Sequence, residues 1–203
     1  MTTITDQLLT NRTFRDEKAN IALAKKISGE TDAEAVNEVF RNLSNKKLES
    51  DCIKILYEIA GRSPALVADY ADYFIELLDR KNNRIVWGAM TAIEAICSLK
   101  IDLVYSQVEK LQTVVEQGSV ITRDHFVNIL LILAPAKPDV LLRLFQQLAD
   151  CPPNQLPMYA ERSLSVLNKK NSSEFVEIMI QRLGEMATES KRKRLEKVIK
   201  KLS

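Results

Sequence analysis

His125 is the only histidine of the chain and follows Asp124, so an imidazole stands beside a carboxylate and the two resemble an acid/base pair. Adjacent residues on a helix point about 100° apart, and no serine or cysteine lies at a spacing that would make it their nucleophile. A solvent-facing histidine is the expectation. Cys52, Cys97 and Cys151 are odd in number, far apart and without a CxxC pair. They predict neither disulfides nor a zinc site but small core residues with reduced thiols. No phosphate-loop motif is found. The residues predict a non-catalytic chain with no metal and no cofactor.

Recognition chemistry is better represented. The stretch KNNRIVWGAM, residues 81–90, holds the one tryptophan, Trp87, three residues after Arg84, and Trp, Tyr and Arg supply most interface hot spots. Trp87 is expected either to anchor a partner or to lie over a neighbouring repeat with Arg84 stacked on it in a cation–π contact. Asn82 reads as a helix cap and Gly88 as a point of close helix packing. Residues 188–203, TESKRKRLEKVIKKLS, carry seven basic side chains against Glu189 and Glu196, a balance of +5; the whole chain is +2, so residues 1–187 sum to −3. Lys191, Arg192, Lys193, Arg194 and Lys197 thus form a basic C-terminal patch. It reads as the solvated face of a terminal helix or as a surface for phosphates or an acidic partner.

Composition limits the elements that position these residues. A chain of 203 residues with 46% apolar content can bury a sizeable core. Five glycines and six prolines are too few for a loop-rich β protein, and Leu, Ala, Lys, Glu and Ile favour helix, so the fold class is all-α. The N-terminus has no basic region followed by an apolar stretch, and the longest apolar run, residues 129–134, is far short of a membrane span. A soluble, cytoplasmic chain with no membrane partner is expected.

The chain repeats itself. The pairs Leu56/Ile59, Ile93/Ile96, Leu130/Leu133, Leu164/Leu167 and Ile199/Leu202 recur at spacings of 37, 37, 34 and 35, each four residues after Cys52, Ala89, Phe126, Ala160 or Leu195. An out-of-phase ladder runs through Val36, Ala71, Val108, Leu141 and Val176. Val39, Phe74, Leu111, Leu144 and Met179 follow three residues later, and Leu43, Leu78, Val115, Leu148 and Leu183 seven residues later. Two amphipathic helices per repeat, A and B, satisfy both ladders. Asn45, Asn82, Ser119, Asn154 and Thr188 recur just before each B helix as candidate caps. Thr31 to Glu34, Ser63-Pro64 and Lys137-Pro138 mark A-helix starts, while Gly61 and Gly118 mark ends. The predicted organisation is an N-terminal capping segment, residues 1–31, with one helix around 17–27. The repeat domain, 32–203, divides into approximate repeats 32–61, 64–99, 101–134, 137–169 and 172–203.

This pattern resembles the HEAT/armadillo class, in an uncharacterised form found in bacteria. HEAT B helices tend to read V-R-x-A-A-x-x-A-L, and residues 85–93 read IVWGAMTAI, with Val86 in place of the family's arginine. The resemblance implies an α-solenoid of about five HEAT-like helix pairs forming a right-handed superhelix, its B helices lining the concave face. The B-helix register then places Lys47, Lys54, Arg84, Trp87, Asp124, His125, Asn128, Tyr159 and Arg162 in one outward column. A column of this kind predicts an interaction scaffold for a protein or peptide, its oligomeric state left open. The alternative is nucleic-acid binding, similar to the HEAT-like alkylpurine DNA glycosylases, with Trp87, Tyr159 and Asp124 in a cleft.

Overall fold

A computed structural model describes residues 4–8 and 17–202 of the chain. All regular structure among the described residues is helical. Residues 4–8 are helical, and the longer helices are α1 (Glu17–Glu30), α2 (Ala33–Asn42), α3 (Glu49–Arg62), α4 (Ala71–Leu77), α5 (Asn83–Ile96), α6 (Ile101–Ser106), α7 (Val108–Glu116), α8 (Val120–Leu133), α9 (Val140–Asp150), α10 (Leu156–Ser163), α11 (Ser173–Arg182) and α12 (Glu189–Leu202). The internal contacts divide the chain into two compact units, Met1–Phe126 and Val127–Ser203, and the division falls inside α8.

In the first unit, α3 packs against both α1 and α5, while α2 pairs with α3 and α4 with α5. In the second, α10 packs on α12 and α9 on α11, with α9 also meeting α10 and α11 meeting α12. Within each unit, B helices stack on B helices and A helices pair with the B helices that follow them. The N-terminal helix α1 takes part in this stacking as a B helix would. Residues 4–8 lie against α2, where Thr5 donates its backbone N–H and its hydroxyl to Glu38 Oε1 at 2.9 and 2.8 Å.

The ladders are the core. Cys52, Leu56, Ile59, Ala89, Ile93, Ile96 and Phe126 are fully buried in the first unit, as are Leu130, Leu133, Ala160 and Leu195 in the second. A fully buried Leu, Ile or Phe contributes about 1.5–3 kcal/mol by leaving water, which is why this stripe decides the helix faces. The A ladder is buried from Val36 through Val115. In the second unit Leu144, Leu148 and Met179 stay fully buried, while at the first position Leu141 and Val176 are half-buried and Val140 and Phe175, one residue earlier, are in the core. Phe145 and Phe175, with ring centroids 6.2 Å apart, pack α9 against α11. Leu164 is also only half-buried, because α10 ends at Ser163 before the stripe is complete.

The expected caps divide. Asp32 accepts from the Ala35 N–H at 2.9 Å and Asn82 from the Arg84 N–H at 3.1 Å. Ser119 and Thr188 hydroxyls accept from the N–H groups of Ile121 and Lys191. Asn45 instead closes a turn onto the Lys47 N–H, four residues before α3 begins. Asn154 caps nothing in α10; its side-chain oxygen accepts from Lys191 Nζ at 2.5 Å. Proline at 157, in the first turn of α10, has no N–H for such a cap to receive. After Ser63-Pro64 the chain makes two short 3₁₀ turns, Pro64–Leu66 and Ala68–Tyr70, before α4 starts.

Candidate functional site

Helix α5 carries the residues the sequence singled out, and its placement depends on Gly88. A β-carbon added there would overlap Ile53 Cγ1 and stand 3.2 Å from Tyr57 Cδ1, so glycine is what lets α5 lie this close to α3. Tyr57 therefore sits against the turn that bears Trp87, and both rings are half-buried. Lys54 places its ammonium 4.6 Å from the centre of the Tyr57 ring and donates to Glu58 at 2.8 Å. Burial opposes both charges and is the largest single influence on each, yet the hydrogen bonds and charge attractions with Glu58 and Tyr57 for Lys54, and with Lys54 and Arg62 for Glu58, together exceed it, so Lys54 is raised and Glu58 lowered from their ordinary ranges.

Arg84 does not stack on Trp87. Its guanidinium donates to Glu17 at 2.8 Å, drawn there because the start of α1 supplies a carboxylate and the indole face offers less. Lys47 is exposed in the turn before α3.

His125 is half-buried rather than turned out to solvent, and the carboxylate at its ring is that of Glu94. Its Nδ1 lies 2.6 Å from Glu94 Oε2 and its Nε2 2.9 Å from Thr91 Oγ1, while Asp124 occupies the neighbouring helical direction. Both partners lie on α5, one repeat earlier, where residues 91 and 94 share a face. Hydroxyl, imidazole and carboxylate thus follow one another in the order that acyl transfer uses. All three residues, however, lie inside helices, where backbone N–H groups are consumed by the helix itself and cannot stabilise an oxyanion. The Thr91 hydroxyl, moreover, donates to the Trp87 carbonyl at 2.8 Å. The arrangement ties α8 to α5 beneath Trp87.

In the second unit Tyr159 is completely buried, which overturns its place in the outward column. It stands one residue before Ala160, as Gly88 stands before Ala89, and that position faces the neighbouring B helix; the buried set on α10 is Leu156, Pro157, Tyr159, Ala160 and Ser163. The outward residue of the turn is Arg162, which donates to Asn128 Oδ1 at 3.0 Å. The basic C-terminal residues lie along α12. Arg194 grips Glu161 with two bonds of 2.8 and 2.6 Å, Arg192 pairs with Glu196 and Lys193 with Glu189, and Lys191 reaches Asn154. Lys197 is exposed. The hydrogen bond from Arg194 holds the Glu161 carboxyl below its usual range against the opposing effect of burial, with the charges of Arg194, Lys197 and Lys201 adding to it.

Tyr57, Glu58, Glu94 and Glu161 belong to these surfaces without any motif in the sequence to mark them. Glu94 with His125 and Glu161 with Arg194 are separated by 31 and 33 residues, so complementary residues one repeat apart were a usable signal. The cysteines are buried; desolvation pushes the Cys52 and Cys97 thiols up to about 12, which leaves them protonated at neutral pH. Among the described residues no group of three His, Cys, Asp or Glu is placed to hold a metal ion, and no helix is long and apolar enough to cross a membrane. Comparison of the chain with protein-family models, curated proteins and solved structures gives no match.

Proposed function

We propose that the helix pairs are HEAT-like repeats of a right-handed α-solenoid, and that the chain is a non-catalytic interaction module. The observation that supports this reading is the separation of the polar bonds that join helices. Asn20 to Asp51, Glu94 to His125 and Lys110 to Asp79 span 31 residues, Asn82 to Glu49 spans 33, and Thr91 to His125 spans 34. In the second unit Asn128 to Arg162 spans 34 and Glu161 to Arg194 spans 33. Side chains that bond one repeat apart are what nearest-neighbour stacking of a repeat array produces.

The surface proposed for a protein or peptide is the B-helix face of the first unit around Trp87, Tyr57, Lys54, Thr91 and Glu94. Half-buried aromatic rings held by packing lose little freedom on binding, and the polar groups around them are fixed by their bonds to one another. Nucleic acid is the less favoured partner for this face, because Lys54 is matched by Glu58 and Arg84 by Glu17, leaving little cationic excess for phosphates.

Affinity capture from lysate with wild type and Trp87→Ala, both confirmed as folded by circular dichroism, tests the reading. Proteins recovered by wild type and lost with the variant support it; identical recoveries remove this face. Recovery of nucleic acid with affinity falling steeply with salt would favour the other partner class.

A further inference from the structure

The second unit carries a B-helix surface of another character. Arg194, Lys197 and Lys201 follow one another at intervals of three and four residues along α12, so they share one helix face. That face borders a cleft of about 240 Å³ lined by Glu161, Leu164, Arg194, Lys197, Val198 and Lys201. Three cations therefore meet one carboxylate, an excess of two positive charges. Lys197 and Lys201 are exposed, one helical turn apart, and no ion pair involves either of them among the described residues. Like charges at this spacing repel, and an anion between them relieves the repulsion.

We propose that this cleft receives an acidic peptide segment of a protein partner, with carboxylates on Lys197 and Lys201 and an apolar side chain on Leu164. The chain already shows the mode of recognition: Glu161 occupies Arg194 through two parallel bonds of 2.8 and 2.6 Å, the planar fork that guanidinium offers to a carboxylate. The cleft is smaller than the sites that enclose whole small molecules, which start at about 300 Å³, and it has room for a side chain or two. Single-stranded nucleic acid would look for an aromatic platform beside the cations. No aromatic residue lines the cleft, and Tyr159 of α10 is fully buried. The claim stands apart from the Trp87 face, which lies in the first unit.

Fluorescence anisotropy tests it with the full chain at low salt and three fluorescein-labelled probes: a peptide of alternating glutamate and leucine, its glutamine counterpart, and an oligodeoxythymidylate of equal charge. The glutamate peptide should bind, the glutamine peptide should not, and Lys197→Gln with Lys201→Gln should weaken binding about tenfold. Glu161→Gln frees Arg194 and should tighten it, whereas Glu177→Gln, the same charge change on α11, should leave it unchanged. Trp87→Ala should bind the peptide as wild type does, so failure of the Trp87 face and failure of this cleft are separately visible. The proposal is overturned if the oligonucleotide binds as tightly as the peptide, if the double substitution has no effect, or if Glu161→Gln and Glu177→Gln behave alike.

Discussion

Gly88 and Ile53 touch across the α5–α3 contact so closely that no β-carbon fits at residue 88 without displacing Ile53 Cγ1. Ile53 is fully buried and branched at its β-carbon, so this atom has little room to rotate away. Two effects oppose each other in Gly88→Ala: the helix gains about 1 kcal/mol in propensity, and overpacking costs about 1–3 kcal/mol. Since the overlap is with a branched core residue, the loss should win. Thermal melts should show a lower Tm for Gly88→Ala, and in a double-mutant cycle Gly88→Ala with Ile53→Ala should lose less than the sum of the single changes. Additive losses would mean that the two residues do not share this contact.

Arg182, only 9% exposed, donates to the Leu148 carbonyl at 2.6 Å and the Cys151 carbonyl at 2.8 Å, at the end of α9. The last carbonyls of a helix have no partner within it, so the guanidinium supplies what α9 lacks. Arg182→Met should cost about 2–3 kcal/mol in urea unfolding, because it leaves buried acceptors unpaired. Arg182→Lys should fall between, since one ammonium cannot match the fork.

Acid should weaken the fold through a few carboxylates. Glu161 is held low by its bond to Arg194, Glu185 by Arg182, Asp69 by Lys100 and Glu58, against its burial, by Lys54. A carboxyl whose pKa is lower in the folded state stabilises above its unfolded pKa and loses that contribution as pH falls through the folded value. Tm should therefore hold through neutral pH and decline below the ordinary carboxylate range. In Arg194→Ala, the Glu161 carboxyl should titrate at a higher pH by NMR and the acid decline should be shallower.

The buried thiols give a simpler expectation. With Cys52 and Cys97 pushed up to about 12, a disulfide reagent at neutral pH should label the native chain slowly and the urea-unfolded chain at once. Fast labelling of the native state would show that these positions open to solvent.

The all-helical class and the burial of Cys52, Ala89, Phe126, Ala160 and Leu195 were legible in the sequence, because a helix must bury one face and the spacing of apolar residues declares which. So was the cap at Asn82, since its geometry is local. What the tertiary structure decided was everything settled by a neighbouring helix. Tyr159 reads as an exposed aromatic until α10 is seen to place it where glycine stands in α5; His125 pairs with Glu94 rather than with the adjacent Asp124; Arg84 turns to Glu17, 67 residues away. Periodicity fixes the direction of a side chain to within a face, whereas its partner depends on which residues the next repeat brings within about 3 Å.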